Sequence, residues 1–291
     1  MLVLLSMAVA CGQSAGGDSS AARSPGEQPG ELIARATVLE DRSHGAQLCL
    51  GGILESLPPQ CGGPDLIGWD WDAVTGFDAV GDTRWGEFVV IGTYDRAAAT
   101  FTLTRPAVPA EEYDGAGLPA GQDPEAELRT PCPEPDGGWR VLDPALTSEG
   151  SLIQTIRAAR ARPDFGGLWV DQSINPAMTD GKTANDERRL NDPARLILNV
   201  SVTGDPEVAE AELRQTWGGA LCVRRSGHTE RELRRIQARV SSLPDFLSSA
   251  VANDRVAVTV VWDDGTLQAA FDEQYGAGVI AVSFALQPLQ S

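Results

Sequence analysis

Lysine is all but missing from this chain: Lys182 is the only one, and histidine is nearly as scarce, with His44 and His228 alone. The 23 basic residues face 41 acidic ones, for a net charge of -18. A chain this acidic offers no broad basic face to a phosphate backbone, which excludes nucleic-acid binding and flat adsorption to an anionic membrane surface. With two histidines, a neutral-pH general base has only two places to be, and these fall in different predicted domains, each beside a turn. The sequence contains no H-E-x-x-H, no paired C-x-x-C and no phosphate loop, so no cofactor and no metal are expected. Gly12-Gln13-Ser14-Ala15-Gly16 spells G-x-S-x-G, but without the preceding strand and following helix that expose a nucleophilic serine. The acidic cluster Asp70, Asp72, Asp78, Asp82 lacks the glycine of a calcium loop, with Val74 and Thr75 in its midst, and is expected to be solvated.

Long apolar runs are also lacking. The longest, Leu2 to Ala10, is interrupted only by Ser6 and is far short of the ~20 residues of a membrane span, but it has the size of an export-signal core. Ala8, Val9, Ala10 and Cys11 resemble the lipobox of bacterial lipoproteins. That resemblance implies cleavage before Cys11, a diacylglyceryl group on its sulfur, and a protein held to the membrane by its N-terminal lipid with the folded part outside the cell. Ala8-Val9-Ala10 is also an A-x-A signal, and free secretion is the alternative. Residues 11–30 are rich in Gly, Ser, Pro and Gln and read as a flexible tether.

Setting Cys11 apart leaves Cys49, Cys61, Cys132 and Cys222, an even number that predicts two disulfides in an oxidising compartment. Four cysteines permit three pairings. The short Gly/Pro-rich stretch between Cys49 and Cys61 favours that pair, which leaves Cys132 to tie a linker to the second domain at Cys222.

Residues 31–109 carry five short segments rich in β-branched and aromatic residues: 32–39, 47–50, 66–71, 87–94 and 100–104. Their spacing predicts a small antiparallel β-domain, an OB-like barrel being the closed form that suits five strands. On that reading Trp69 and Trp71 lie two apart on a strand and share a face, where they either cover the core or offer a sugar platform. Residues 110–138 are acidic and Pro/Gly-rich and read as a linker.

Residues 139–291 change period and predict a two-layer α/β sandwich, making the fold class α+β. A helix is expected over 148–161 and a strand over 165–172. A long polar loop follows, and then a strand from Leu196 to Val202 with one buried and one polar face. Asp205 and Pro206 start the next helix, Gly218-Gly219 end it, and 220–223 return as a strand. Thr229 and Glu232 form a capping box for a helix whose apolar stripe is Leu233, Ile236, Val240 and Leu243. The opposite face carries Arg231, Arg234, Arg235 and Arg239, the one basic patch in the chain, either a solvated face or a docking surface for an acidic partner or wall polymer. Residues 255–262 alternate as a strand, Asp263-Asp264-Gly265 read as a hairpin turn, 266–271 as the returning strand, and 279–286 as the last strand.

FGGLWVD, LNVSVT, LCVRRS, TERELRRIQARV and RVAVTVVW come in an order similar to the prodomain of alpha-lytic and streptogrisin-type secreted proteases, over residues 164–262. The resemblance implies a folding helper or inhibitor that docks on a protease. The chain as a whole resembles actinobacterial lipoproteins, a likeness that brings no activity with it. The function expected is therefore a non-catalytic envelope lipoprotein that binds a protein or ligand through the polar sheet face or the arginine helix. A wall-acting hydrolase built on paired carboxylates and a tryptophan platform is the alternative.

Overall fold

The computed structural model describes residues 30–52, 56–118, 128–178 and 186–290, without the side chains of 186 and 187. The leader, Cys11 and the tether up to residue 29 lie outside the described residues.

The first unit is a ring of five strands. β1 (Leu32–Asp41) pairs with β2 (His44–Cys49), β2 with β3 (Asp65–Ile67), β3 with β6 (Thr100–Leu103), β6 with β5 (Thr83–Asp95), and β5 again with β1. Only β3 and β6 run parallel. This partly closed ring is the expected small barrel of OB type. β4 (Asp78–Val80) and β7 (Val108–Pro109) pair as short additions to β5. Leu32, Val38, Leu48, Leu66, Phe88, Val90 and Phe101 fill the interior. Gly92, where β5 pairs with both β6 and β1, has no room for a side chain: a Cβ would stand 2.1 Å from the Thr102 carbonyl oxygen.

β1 is buried on both faces because Ile33, Val89 and Ile91 point outward beneath Tyr113, Leu118 and Leu289. The two described ends of the chain meet here. β14 (Gln287–Pro288) adds to the ring beside β1, with Leu32 opposite Pro288 and Ile33 opposite Gln287. The acidic stretch after the barrel therefore does more than link; its first described part packs on the barrel.

The α/β half is built from two copies of one plan. In the first, α1 (Glu149–Ala161), β8 (Phe165–Asp171), β9 (Ile197–Val202), α3 (Pro206–Leu213) and β10 (Ala220–Arg225) give the order α-β-β-α-β, with the short α2 (Asp186–Leu190) inside the β8–β9 connection. β8 pairs antiparallel with β9, and β9 parallel with β10. In the second, α4 (Glu230–Val240), β11 (Phe246–Ala252), β12 (Arg255–Val260), α5 (Thr266–Tyr275) and β13 (Ile280–Phe284) repeat the order and the pairings. Each has its own core: Leu198, Val200, Val202, Ala209, Leu213 and Trp217 in the first, and Leu233, Val240, Val256, Val258, Val260 and Phe271 in the second. The sandwich is two-layered as expected, but it is divided between two three-stranded sheets.

Three local expectations are corrected. Residues 266–271 are not a strand but the start of α5. Gly265 takes a positive φ of 95°, Asp264 accepts from the Thr266 amide at 3.0 Å and Asp263 from the Leu267 amide at 3.1 Å, which caps a helix instead of turning a hairpin. Trp69 and Trp71 are not on a strand, since β3 ends at Ile67 and Trp71 opens a 3-10 turn capped by Asp70. The strand β9 has no water-facing side: all six of its residues are buried.

Both disulfides have the expected pairing, Cys49 with Cys61 and Cys132 with Cys222. The second explains β9. It fastens residues 128–139 across the face of the first sheet that the helices leave open, so that Ile197, Ala220 and Cys222 are covered by Cys132, Trp139 and Ile174. Asn199, which has no exposed surface, donates to the Thr130 hydroxyl at 3.1 Å. Buried Asp171 accepts from the Thr130 amide at 2.6 Å and the Ser173 amide at 2.8 Å. Burial alone would raise its carboxyl, yet these bonds outweigh that and hold it below the usual range. The long β8–β9 connection is pinned where it is described: the Asn175 side chain donates to the Arg189 carbonyl at 2.7 Å.

The second copy packs on the barrel. Val261, Trp262 and Leu286 enter the barrel's core cluster. At the rim, Tyr94 donates to Asp245 at 2.8 Å and Arg96 pairs with the same carboxylate at 2.6 Å. Burial first, and then the bond to Asp245, push the Tyr94 hydroxyl well above its ordinary ionisation range. Among the described residues no helix is long and apolar enough to cross a membrane.

Candidate binding groove

α4 begins with the predicted capping box: Thr229 accepts from the Glu232 amide, and the Glu232 carboxylate accepts from the Thr229 amide at 2.8 Å. Those bonds, the backbone one foremost, hold the Glu232 carboxyl below its ordinary value. They also decide the charge of the helix face. Glu232 is committed to the cap at both the amide and the hydroxyl of Thr229, while Glu230 pairs with Arg234.

The arginine face of α4 lies opposite the last turn of α1. Between them runs a groove of about 770 Å³, lined on one side by Arg231, Arg234 and Arg235 and on the other by Arg160 and Arg162, with Phe165 at its floor. Arg162 pairs with Asp164 at 3.0 Å and with Glu212. Arg160, Arg231 and Arg235 have no ion pair within 4 Å among the described residues. Arg239, grouped with this patch in the sequence, does not line the groove. Arg160 and Arg162 were not visible as part of a site, because nothing in a linear sequence brings the end of the first helix of one copy to the face of the first helix of the next.

The other sequence-level candidates do not assemble a reacting centre. Trp71 is 5% exposed, inside the barrel core, with its indole donating to Glu40 at 2.9 Å. Trp69 packs edge-on against Trp71 and Phe88, at centroid distances of 5.1 and 4.8 Å. The pair is core packing and gives no shared sugar platform. His44 stands 3.5 Å from Asp41 at a barrel hairpin. His228 sits in the joint between the two copies, where its amide donates to Asp254 at 3.2 Å. Among the described residues no group of three or more histidines, cysteines or carboxylates is placed to hold a metal ion.

The two disulfides fit an extracytoplasmic or secreted protein. Comparison with protein-family models, curated proteins and solved structures finds no match to this chain.

Proposed function

We propose that the chain is an envelope lipoprotein, attached by acyl chains on Cys11, whose folded part captures an anionic partner outside the membrane in the groove between α1 and α4. The observation that carries the binding half is the concentration of five arginines around one concavity in a chain of charge -18, three of them without an ion pair among the described residues. Surface charge in a protein under strong acidic bias is normally paired or diluted; a groove lined by five arginines against the single carboxylate of Glu230, with apolar Phe165 beneath it, gives an anion both field and contact. Guanidinium groups are suited to carboxylate and phosphate oxygens through paired N–H donors. The lipid half rests on Ala8-Val9-Ala10-Cys11 and on the composition of the tether.

Two experiments test it. Intact mass of the exported protein, with and without reductant, is expected to show loss of residues 1–10, a diacylglyceryl addition on Cys11 and two reducible disulfides; an unmodified mass from residue 11 would leave free secretion instead. For the groove, Arg231→Gln with Arg235→Gln is expected to weaken binding of an anionic polymer roughly ten-fold. The binding should also fall with added salt. Unchanged affinity would remove the groove from the function.

A further inference from the structure

Beside the groove, on the other side of Glu230, lies a second and more enclosed cleft of about 330 Å³. Its floor is β8 at Gly166, Gly167 and Trp169, and its roof is the β11–β12 hairpin at Val251 and Ala252. Resting on the proposal that the groove binds an anionic partner, we propose that this cleft is a saccharide subsite, so that the partner is an acidic glycan rather than an acidic protein.

Four observations carry this. The floor of the cleft is bare backbone at two glycines that have little room for a side chain: a Cβ at Gly166 would lie 2.8 Å from Ser226, and one at Gly167 would lie 3.3 Å from the Ser201 hydroxyl. The Trp169 ring forms a wall and is held in place by the Arg224 guanidinium, 5.5 Å from its centroid. An indole held in this way offers a flat apolar surface to the C–H face of a sugar ring, and the volume suits a small cyclic ligand.

Hydroxyl partners stand around that surface. Arg234 bonds Oε1 of Glu230, which leaves Oε2 to accept a hydroxyl, and the Ser201 hydroxyl, which donates to the Gly167 carbonyl at 3.5 Å, keeps its acceptor capacity. Finally, Trp169 Nε1, Asn199 Oδ1 and Arg224 Nε are buried with no hydrogen-bond partner among the described residues. Trp169 stands opposite Asn199 in register and Arg224 stands opposite Ser201; of the three, Trp169 lines the cleft, and Asn199 and Arg224 are its neighbours in the same sheet. Buried polar atoms without partners are rare and mark places where a ligand or ordered water completes the bonding. Glu230 borders both cavities, so a chain whose ring lies on Trp169 would carry a neighbouring carboxylate or phosphate into the arginine groove.

The test uses the folded protein from Cys11 onward and two probes of opposite backbone, a hyaluronan oligosaccharide and poly-L-glutamate. Three variants are compared by calorimetry: Trp169→Leu, Ala252→Trp, which fills the cleft from an exposed position, and the double change at Arg231 and Arg235 to Gln. Either cleft variant is expected to weaken hyaluronan about five-fold, the loss of one ring contact, and to leave poly-L-glutamate unchanged. The arginine pair should weaken both. Hyaluronan binding that responds to the arginines but to neither cleft variant would overturn the saccharide subsite while leaving the groove intact, and tighter binding of poly-L-glutamate would assign an acidic protein. If neither probe responds to the arginine change, the groove reading itself fails. Should Trp169→Leu prove unfolded by circular dichroism, Ala252→Trp decides.

Discussion

The two α-β-β-α-β copies share their order, their sheet pairing and the placement of two helices on one face, yet they treat the opposite face in different ways. In the first copy that face is closed by a segment from outside the repeat, stapled by Cys132–Cys222, and β9 is buried along its whole length. In the second, the equivalent strand β12 alternates, with Val256, Val258 and Val260 buried and Ala257 and Thr259 partly exposed. The connections differ accordingly. β8 and β9 are joined by residues 172–196, whereas β11 and β12 turn through Asn253 and Asp254, both with positive φ. The topology thus fixes one face of each sheet and leaves the other to local circumstance. The cleft lies between β8 of the first copy and the β11–β12 hairpin of the second, with Leu128 of the first copy's cover at its edge.

If the staple is what buries β9, removing it should have the largest effect. Cys132→Ser with Cys222→Ser frees a closure 90 residues apart in sequence and is expected to cost ~4.5 kcal/mol, against ~3 kcal/mol for the pair 12 apart at Cys49 and Cys61. Hydrogen exchange in β9 should accelerate to resemble β12; protection that persists would show the cover to be independent of the bond.

Next come the cores. Leu213→Ala in the first copy and Leu233→Ala in the second, both essentially unexposed, should each cost about 3 kcal/mol in urea unfolding. A single transition shifted equally by either change would show the copies to be one cooperative unit, and two transitions would separate them. The joint between the copies is the third point. The Asp254 carboxylate accepts from the Gly227 amide at 2.7 Å, the His228 amide at 3.2 Å and the Ser226 hydroxyl, and Asp254→Ala is expected to lose ~2 kcal/mol.

The first helices offer a smaller contrast. Thr229→Ala removes the hydroxyl's bonds to the Glu232 amide and carboxylate, and Ser148→Ala a bond to the Ser151 amide, so ~1 kcal/mol and somewhat less are expected from thermal melts. Equal losses would mean that the bond from the Thr229 hydroxyl to the Glu232 carboxylate contributes nothing.

The finest test is a titration. Asp171 has a depressed carboxyl in the folded state, so its contribution is complete above the unfolded value near ~3.9 and is lost as pH falls through the folded one. Asp171→Asn should flatten the fall in stability below about pH 4, measured by urea midpoints at stepped pH. An unchanged slope would remove this bond from the account of how the linker is held.

Much of this was legible in the residues. Asp205-Pro206 and the Thr229/Glu232 box mark two helix starts because capping is a local bond within four residues. β12 was legible because one side of it still meets water. β9 was misread for the opposite reason: Asn199 and Ser201 look like a solvated face, but a segment some 70 residues earlier in the chain covers them and bonds Asn199 through Thr130. The helix α5 was misread because Asp263-Asp264-Gly265 is chemically suited to either a hairpin or a helix entry, and only the packing of Phe271 into the second core selects between them. Trp69 and Trp71 looked alike at spacing two, and a turn beginning between them sent one indole into the barrel.

By itself the sequence determined what short-range chemistry determines: the α+β class, the helix caps, the pairing of Cys49 with Cys61 across a short stretch, and the arginine face of α4. Tertiary structure alone decided that the second half is one plan used twice, that the C-terminal strand returns to the barrel, and that Arg160 and Arg162 join the α4 arginines. Those outcomes depend on contacts between residues far apart in the chain, whose free energy exists only once the intervening units have packed, and no window of neighbouring residues carries it.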